Sequence, residues 1–164
     1  MQLCANAKLF LDVIAASGEP KLWELTPLEA RKKVLELTRL VECQEAIGNV
    51  ENGTLPGPAG PLPFRVYTPS TLNDAPAAGV VFFHGGAWVL GDLDTHDCLC
   101  RILANESGCR LIAVDYRLAP EHPFPAAVED ACAATAWIAA HTAELMIDPT
   151  CLAVAENGVP RVTK

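Results

Sequence analysis

Two adjacent glycines after a short apolar run are the residues best placed for chemistry in this sequence. The run Gly79-Val80-Val81-Phe82-Phe83 leads directly into His84-Gly85-Gly86. Because glycine has no Cβ, a reacting group can come close to the backbone there, and preorganised N–H groups can stabilise a developing negative charge. Taken alone, the three residues are better explained by a tight turn after a strand. The chemical interpretation therefore depends on the residues that flank them.

The sequence contains no serine or cysteine in the sequence pattern of a catalytic nucleophile. The serines are Ser17, Ser70 and Ser107, and none of them has glycines at both −2 and +2, the G-x-S-x-G pattern of a nucleophile elbow. No cysteine stands in such a pattern or in an identifiable electropositive setting, so a catalytic thiolate is not favoured either.

The seven cysteines include no CxxC pair and lie among apolar residues. This distribution predicts reduced, buried thiols in a cytoplasmic protein. His96, Cys98 and Cys100 alternate along the chain as metal ligands can, but residues two apart on a helix point in different directions and no fourth ligand is evident. We therefore predict no metal site and no cofactor.

Composition and charge narrow the class of protein. The 164 residues are 51% hydrophobic and 20% charged, which predicts one globular domain with a core. The formal net charge of −8 argues against binding to nucleic acid or anionic lipid. Lys8 and Asp12 interrupt the apolar opening, which favours an amphipathic helix over a signal peptide. No stretch approaches the roughly 18 to 20 apolar residues that a membrane-spanning helix needs.

Periodicity and turn residues predict helices first and then alternating strands and helices. Thr26, Pro27 and Glu29 form the start signal of the second helix. Unbroken apolar runs predict strands of a parallel sheet, and the intervening helices predict βαβ units. The predicted helices are Leu3–Ala16, Pro27–Ala46, Thr95–Glu106 and Ala126–His141, and the predicted strands are Val50–Leu55, Leu62–Thr68, Gly79–Phe83, Leu111–Val114 and Cys151–Ala155.

Two longer segments, Phe83–Asp92 and Asp115–Ala127, closely resemble the bacterial hormone-sensitive-lipase-like family of esterases, within the α/β-hydrolases. The similarity extends over about residues 20–155. It implies an α/β fold, a partial α/β-hydrolase that ends before the nucleophile elbow. Its parts would be an N-terminal helical cap-like segment (1–47), a partial core of a hairpin and the first parallel strands of the central sheet (48–155), and a non-family tail (156–164).

The resemblance also assigns roles to the residues around the glycines. Gly85 and Gly86 correspond to backbone donors of the family's oxyanion hole, which stabilises the tetrahedral intermediate of ester cleavage. Ala87 replaces the third glycine of the family's usual pattern. His84 would shape the loop at the end of the strand and would not be the catalytic base. The other residues that would shape this loop are Ala87, Trp88, Gly91 and Asp92.

The second segment is predicted to be structural. Arg117 and Glu121 are close enough across a turn to form an ion pair, and Pro120, Pro123 and Pro125 restrict the loop before the next helix.

The triad residues that the family requires are missing from their places. The elbow should follow the strand Cys151–Ala155, where the sequence instead runs from Glu156 to Lys164. Acid and base follow the serine in the chain order of this fold. That order excludes Asp130 and Asp148 as the catalytic acid, and His122 and His141 as the catalytic base.

The implied function is carboxylic ester hydrolysis, esterase or lipase-like, on a small ester substrate, with no membrane insertion and no assigned oligomeric state. The chain itself is expected to be truncated and inactive alone, since it lacks the catalytic Ser, Asp and His. Two alternatives stay open: a half-enzyme complemented by a second chain, and a non-catalytic module that binds a ligand or partner.

Overall fold

The computed structural model describes residues 4–40, 43–72 and 75–158. Helices and strands follow in the predicted order, with a 3₁₀ turn at Leu22–Glu24 before the second helix. The helices are α1 (Ala5–Ala16), α2 (Pro27–Leu40), α3 (Asp97–Ser107) and α4 (Ala126–Ala140), and the strands are β1 (Asn49–Gly57), β2 (Gly60–Thr68), β3 (Ala77–Phe83), β4 (Arg110–Val114) and β5 (Ile147–Glu156).

The five strands form one mixed sheet in the order β1-β2-β4-β3-β5. β1 and β2 form the predicted antiparallel hairpin, and β2 continues antiparallel to β4. β3 is parallel to both β4 and β5, with Phe83 in register with Val114 and with Glu156. The carboxyl ends of the three parallel strands therefore meet at one edge, which brings together the segments that follow them. The predicted arrangement of a hairpin followed by parallel strands with intervening helices is confirmed.

Both faces of the central strands are buried, because successive side chains of a strand point to opposite faces. Val81 and Ile112 belong to the core on the α4 side, whereas Phe82 and Leu111 belong to the core on the α3 side. This double burial explains the unbroken apolar runs of β3 and β4. β5 lies at the edge of the described sheet, and Val154 on it is 56% exposed.

The start of α2 is as predicted and its end is not. Thr26 N–H donates to Glu29 Oε2 at 2.9 Å and Glu29 N–H donates to Thr26 Oγ1 at 3.4 Å, which is the expected reciprocal capping interaction. The helix ends at Leu40 instead of Ala46, and residues 41–42 lie outside the described residues. Residues 43–46 are not helical because tertiary bonds to α3 hold them: Asn105 Nδ2 donates to Ala46 O at 2.8 Å.

The prediction of reduced, buried thiols is confirmed for Cys100 and wrong for Cys43 and Cys98. Cys43 and Cys98 form a disulfide with a Cα–Cα distance of 5.4 Å, within the usual range. Cys132 and Cys151 are free and exposed, whereas Cys100 on α3 is free and buried. A pairing over 55 residues of sequence leaves no local signal for sequence reasoning to find. The cytoplasmic location, which rested on reduced thiols, stays a prediction.

Two further predictions extend past the described residues. Leu3, at the predicted start of α1, and residues 159–164 of the predicted tail lie outside the described residues. Among those that the structure describes, no group of three His, Cys, Asp or Glu side chains could hold a metal ion. No helix within the described ranges is both long and apolar enough to cross a membrane. The domain boundaries at 47 and 155 stay predictions.

Candidate active site

The segment after β3 forms a tight turn in an unusual backbone conformation, which we call the glycine turn (residues 85–90). Gly86 has φ +129°, and Ala87 and Trp88 follow with φ +52° and +60°. Leu90 N–H donates to the Gly86 carbonyl at 2.9 Å and closes the turn. A Cβ on Gly86 would collide with the Leu90 carbonyl oxygen, so only glycine fits there.

Two consecutive N–H groups of the glycine turn are available to a ligand. Gly85 N–H donates to Asn157 Oδ1 at 2.8 Å and is therefore engaged. The N–H groups of Gly86 and Ala87 have no acceptor among the described residues. A Cβ on Gly158 would lie 3.6 Å from Gly86 N, so the second residue after β5 faces the glycine turn. The free donors are thus Gly86, which the sequence predicts, and Ala87, which it does not; Gly85 as a donor stays a prediction.

His84 is buried behind the glycine turn. It is 5% exposed, its Nδ1 lies 2.9 Å from Gly85 O, and its ring stacks on Tyr116 with 4.4 Å between ring centres. Tyr116 Oη donates to His84 O at 2.6 Å. Burial lowers the pKa of His84, which keeps the imidazole neutral at neutral pH. These contacts suit a residue that shapes the loop, the role that the resemblance implies.

Gly91 and Asp92 connect the glycine turn to α3. Gly91 has φ +92°, and a Cβ there would collide with the His84 ring. Thr95 N–H donates to Asp92 Oδ1 at 2.7 Å, and Asp92 N–H donates to Thr95 Oγ1 at 2.9 Å. The Asp92 side chain therefore holds the backbone before α3.

A cavity of about 620 Å³ adjoins the glycine turn, and small-ligand sites commonly have this size. Trp88, 55% exposed, lies at its margin, and Tyr116 and Val154 form other parts of its wall. One face of α4 also lines the cavity, through Ala127, Val128, Ala131, Cys132, Thr135, Ala136 and Ala139.

The residues that chain order excludes from a triad also lie away from the cavity wall. His141 Nδ1 contacts Trp137 O at 2.7 Å at the end of α4. Asp148 Oδ1 accepts the Thr150 N–H at 2.8 Å. None of the candidate acids and bases lines the cavity, and neither does any serine of the sequence: Asp130, Asp148, His122 and His141, and Ser17, Ser70 and Ser107.

The predicted ion pair between Arg117 and Glu121 is wrong. Asp130, 1% exposed on α4, accepts the Arg117 backbone N–H at 2.9 Å and Arg117 Nη2 at 2.8 Å. Glu121 instead binds Arg31 of α2, with Nη2 and Oε2 2.8 Å apart. Arg117 pairs with Asp130 instead of Glu121 because the Asp130 carboxylate accepts hydrogen bonds from both the Arg117 backbone N–H and its guanidinium. Sequence reasoning missed Arg31, Tyr116 and Asn157, since each contacts the site from a distant part of the chain.

The sequence is similar to α/β-hydrolases and to known esterases. Residues 80–157 match a family model of the alpha/beta hydrolase fold. Esterase LipI of Mycobacterium tuberculosis is 54% identical over 100 residues, which are 60% of this chain and 31% of LipI. An arylesterase of Saccharolobus solfataricus is 40% identical over 120 residues, which are 73% of this chain and 39% of the arylesterase.

The similarity extends to solved structures. The hyperthermophilic esterase of the archaeon Pyrobaculum calidifontis superposes with a TM-score of 0.88 and 39% identity, over 95% of this chain and 50% of that one. The fold and the site thus define an α/β-hydrolase. Within that class, the proteins that the chain matches are esterases, as its resemblance to the hormone-sensitive-lipase-like family predicts. The chain spans about half the length of the solved esterase and about a fifth to two fifths of the length of its curated relatives.

Proposed function

We propose that this chain provides the oxyanion-binding part of a carboxylic ester hydrolase, with the N–H groups of Gly86 and Ala87 as donors. One observation carries the proposal: these two donors have no acceptor among the described residues and stand at the wall of an apolar cavity. When an oxygen attacks an ester carbonyl, the carbonyl oxygen becomes an oxyanion, and fixed N–H groups stabilise it without reorganising. The proposed role of the cavity is to accept the acyl chain.

The attacking oxygen is the part of the reaction that these residues do not supply. The sequence contains no G-x-S-x-G segment, and none of its serines contributes to the cavity wall. An oxyanion hole alone cannot create the charge that it stabilises. We therefore expect the 164-residue polypeptide to bind a mimic of the tetrahedral intermediate and to turn over no ester at enzymatic rates.

Binding of alkylphosphonates, tetrahedral anions with an apolar chain, tests the proposal. In ¹⁵N-labelled protein, butylphosphonate should shift the amide signals of Gly86 and Ala87 saturably, and methylphosphonate should bind more weakly. Ala131→Leu narrows the cavity and should abolish the advantage of the longer chain. Ala140→Leu, on an exposed position of α4 outside the cavity wall, is the matched control and should bind as the wild type does. The proposal fails if both amide signals stay fixed at saturating butylphosphonate, or if the polypeptide alone hydrolyses p-nitrophenyl butyrate at enzymatic rates.

A further inference from the structure

We propose that Arg31 of α2 is a positioning residue for the glycine turn, because its guanidinium fixes the backbone that presents the Gly86 and Ala87 N–H groups. The inference rests on the proposed function, since an oxyanion site requires these two donors to be held in place before the reaction. This role would make α2 part of the site, although no residue of α2 lines the cavity beside the glycine turn.

The Arg31 guanidinium joins three segments of the chain. Nε donates to Val89 O in the glycine turn at 2.7 Å. Nη2 donates to Ala119 O, in the loop after β4, at 2.7 Å. Nη1 and Nη2 also donate to the two carboxylate oxygens of Glu121 at 2.9 and 2.8 Å. All three guanidinium nitrogens are therefore used.

The bonds from Arg31 and Ala119 hold the part of the glycine turn that has an unfavourable backbone conformation. Ala87 and Trp88 have positive φ, which is unfavourable for residues that carry a Cβ. The two carbonyls that follow are both held from outside the turn: Trp88 O accepts the Ala119 N–H at 2.8 Å, and Val89 O accepts Arg31 Nε at 2.7 Å. Because Arg31 also binds Ala119 O, loss of the guanidinium removes one of these supports and loosens the other.

Geometry, and not charge alone, makes arginine the suitable residue. The side chains of Arg31 and Glu121 are 25% and 51% exposed, and ion pairs this accessible to water contribute little stability by themselves. A planar guanidinium donates in several fixed directions, whereas a lysine ammonium is a compact charge on a flexible stem. Arg31 hydrogen bonds lower the pKa of Glu121 to about 2, so the carboxylate stays charged, and paired with Arg31, below the pH at which a free glutamate is protonated. Lysine at position 31 should therefore fail to replace arginine.

Four variants of the whole 164-residue protein separate positioning from charge. Arg31→Ala removes every bond, and Arg31→Lys keeps the charge. The double exchange of Arg31→Glu with Glu121→Arg keeps the ion pair but removes the donor to Val89 O. Arg39→Ala, an exposed arginine on the same helix, is the matched control.

Hydrogen exchange and amide chemical shifts measure the result in ¹⁵N-labelled protein. In Arg31→Ala, Arg31→Lys and the double exchange, the Leu90 N–H, which closes the turn, should exchange about tenfold faster or more, as expected for lost hydrogen bonds. The signals of Gly86 and Ala87 should shift in the same three variants. The core amides of Val81 and Ile112 should exchange as in the wild type, and Arg39→Ala should change nothing.

The inference fails if the amide signals of the glycine turn are unchanged in Arg31→Ala. It also fails if Arg31→Lys or the double exchange behaves as the wild type does. Equally faster hydrogen exchange at the core amides would indicate a role in stability only and would overturn it as well. Butylphosphonate binding to the wild type is measured separately. If the wild type fails to bind it while the turn still loosens in Arg31→Ala, the proposed function fails and the positioning of the turn stands. If the wild type binds it and the turn is unaffected in Arg31→Ala, the positioning role alone fails.

Discussion

Removal of the Cys43–Cys98 disulfide should destabilise the protein through its N-terminal segment. The disulfide attaches the residues after α2 to α3, next to the bond from Asn105 Nδ2 to Ala46 O. The free cysteine of α3, Cys100, is buried beside the sheet and is no alternative partner at the surface. Reduction therefore breaks this link and leaves the hydrogen bonds of residues 45–46 to hold the segment.

The size of the effect follows from the length of chain that the disulfide closes. For a separation of 55 residues, loop-closure entropy gives a stabilisation of about 4 kcal/mol. Measured values for disulfides commonly fall at or below such figures. The free energy of unfolding should therefore drop by about 2 to 4 kcal/mol on reduction, a large part of the stability of a small domain.

Urea denaturation, followed by circular dichroism with and without a phosphine reductant, measures this difference. The double variant Cys43→Ala with Cys98→Ala should match the reduced wild type and should not respond to reductant. Cys132→Ser, which changes a free and exposed cysteine, is the control and should unfold as the oxidised wild type does. Equal stability of the oxidised and reduced wild type would show that the disulfide does not stabilise the fold.

Three further changes probe the site and its surroundings. Tyr116→Phe leaves the buried His84 carbonyl without its donor and should cost about 1 to 2 kcal/mol in urea unfolding. Gly86→Ala places a Cβ at φ +129° and should weaken butylphosphonate binding about tenfold or more in an amide titration. Hydrogen bonds from Arg31 lower the pKa of Glu121 from 4.5 to about 2, so the stability that this pair contributes is complete above pH 4.5 and is lost as the pH falls towards 2. Over that interval, Glu121→Gln should lose less stability than the wild type, as measured by thermal unfolding.

Local signals in the sequence predicted most of the fold. The unbroken apolar run of β3 ends at Phe83 as predicted, and the capping interaction of Thr26 with Glu29 starts α2 at the predicted residue. These features depend on neighbours in the chain, so periodicity and residue type suffice. The end of α2 depended instead on contacts with α3 and was predicted too far along the chain, at Ala46.

Side-chain pairs between distant segments could not be predicted. Arg31 and Glu121 are 90 residues apart, and no spacing rule connects them. For Arg117, proximity in sequence favoured Glu121, but Asp130 on α4 faces both its backbone N–H and its guanidinium. For the candidate site, the glycines and their loop followed from the resemblance, whereas the engagement of Gly85 N–H by Asn157 depends on the packing of β5 beside β3.

A crystal structure of the protein with bound butylphosphonate tests whether the glycine turn binds an oxyanion. We expect one phosphonate oxygen within hydrogen-bond distance of both Gly86 N and Ala87 N, with the butyl chain along the α4 face of the cavity. A phosphonate bound elsewhere, or a glycine turn whose two N–H groups point away from the bound anion, would contradict this expectation.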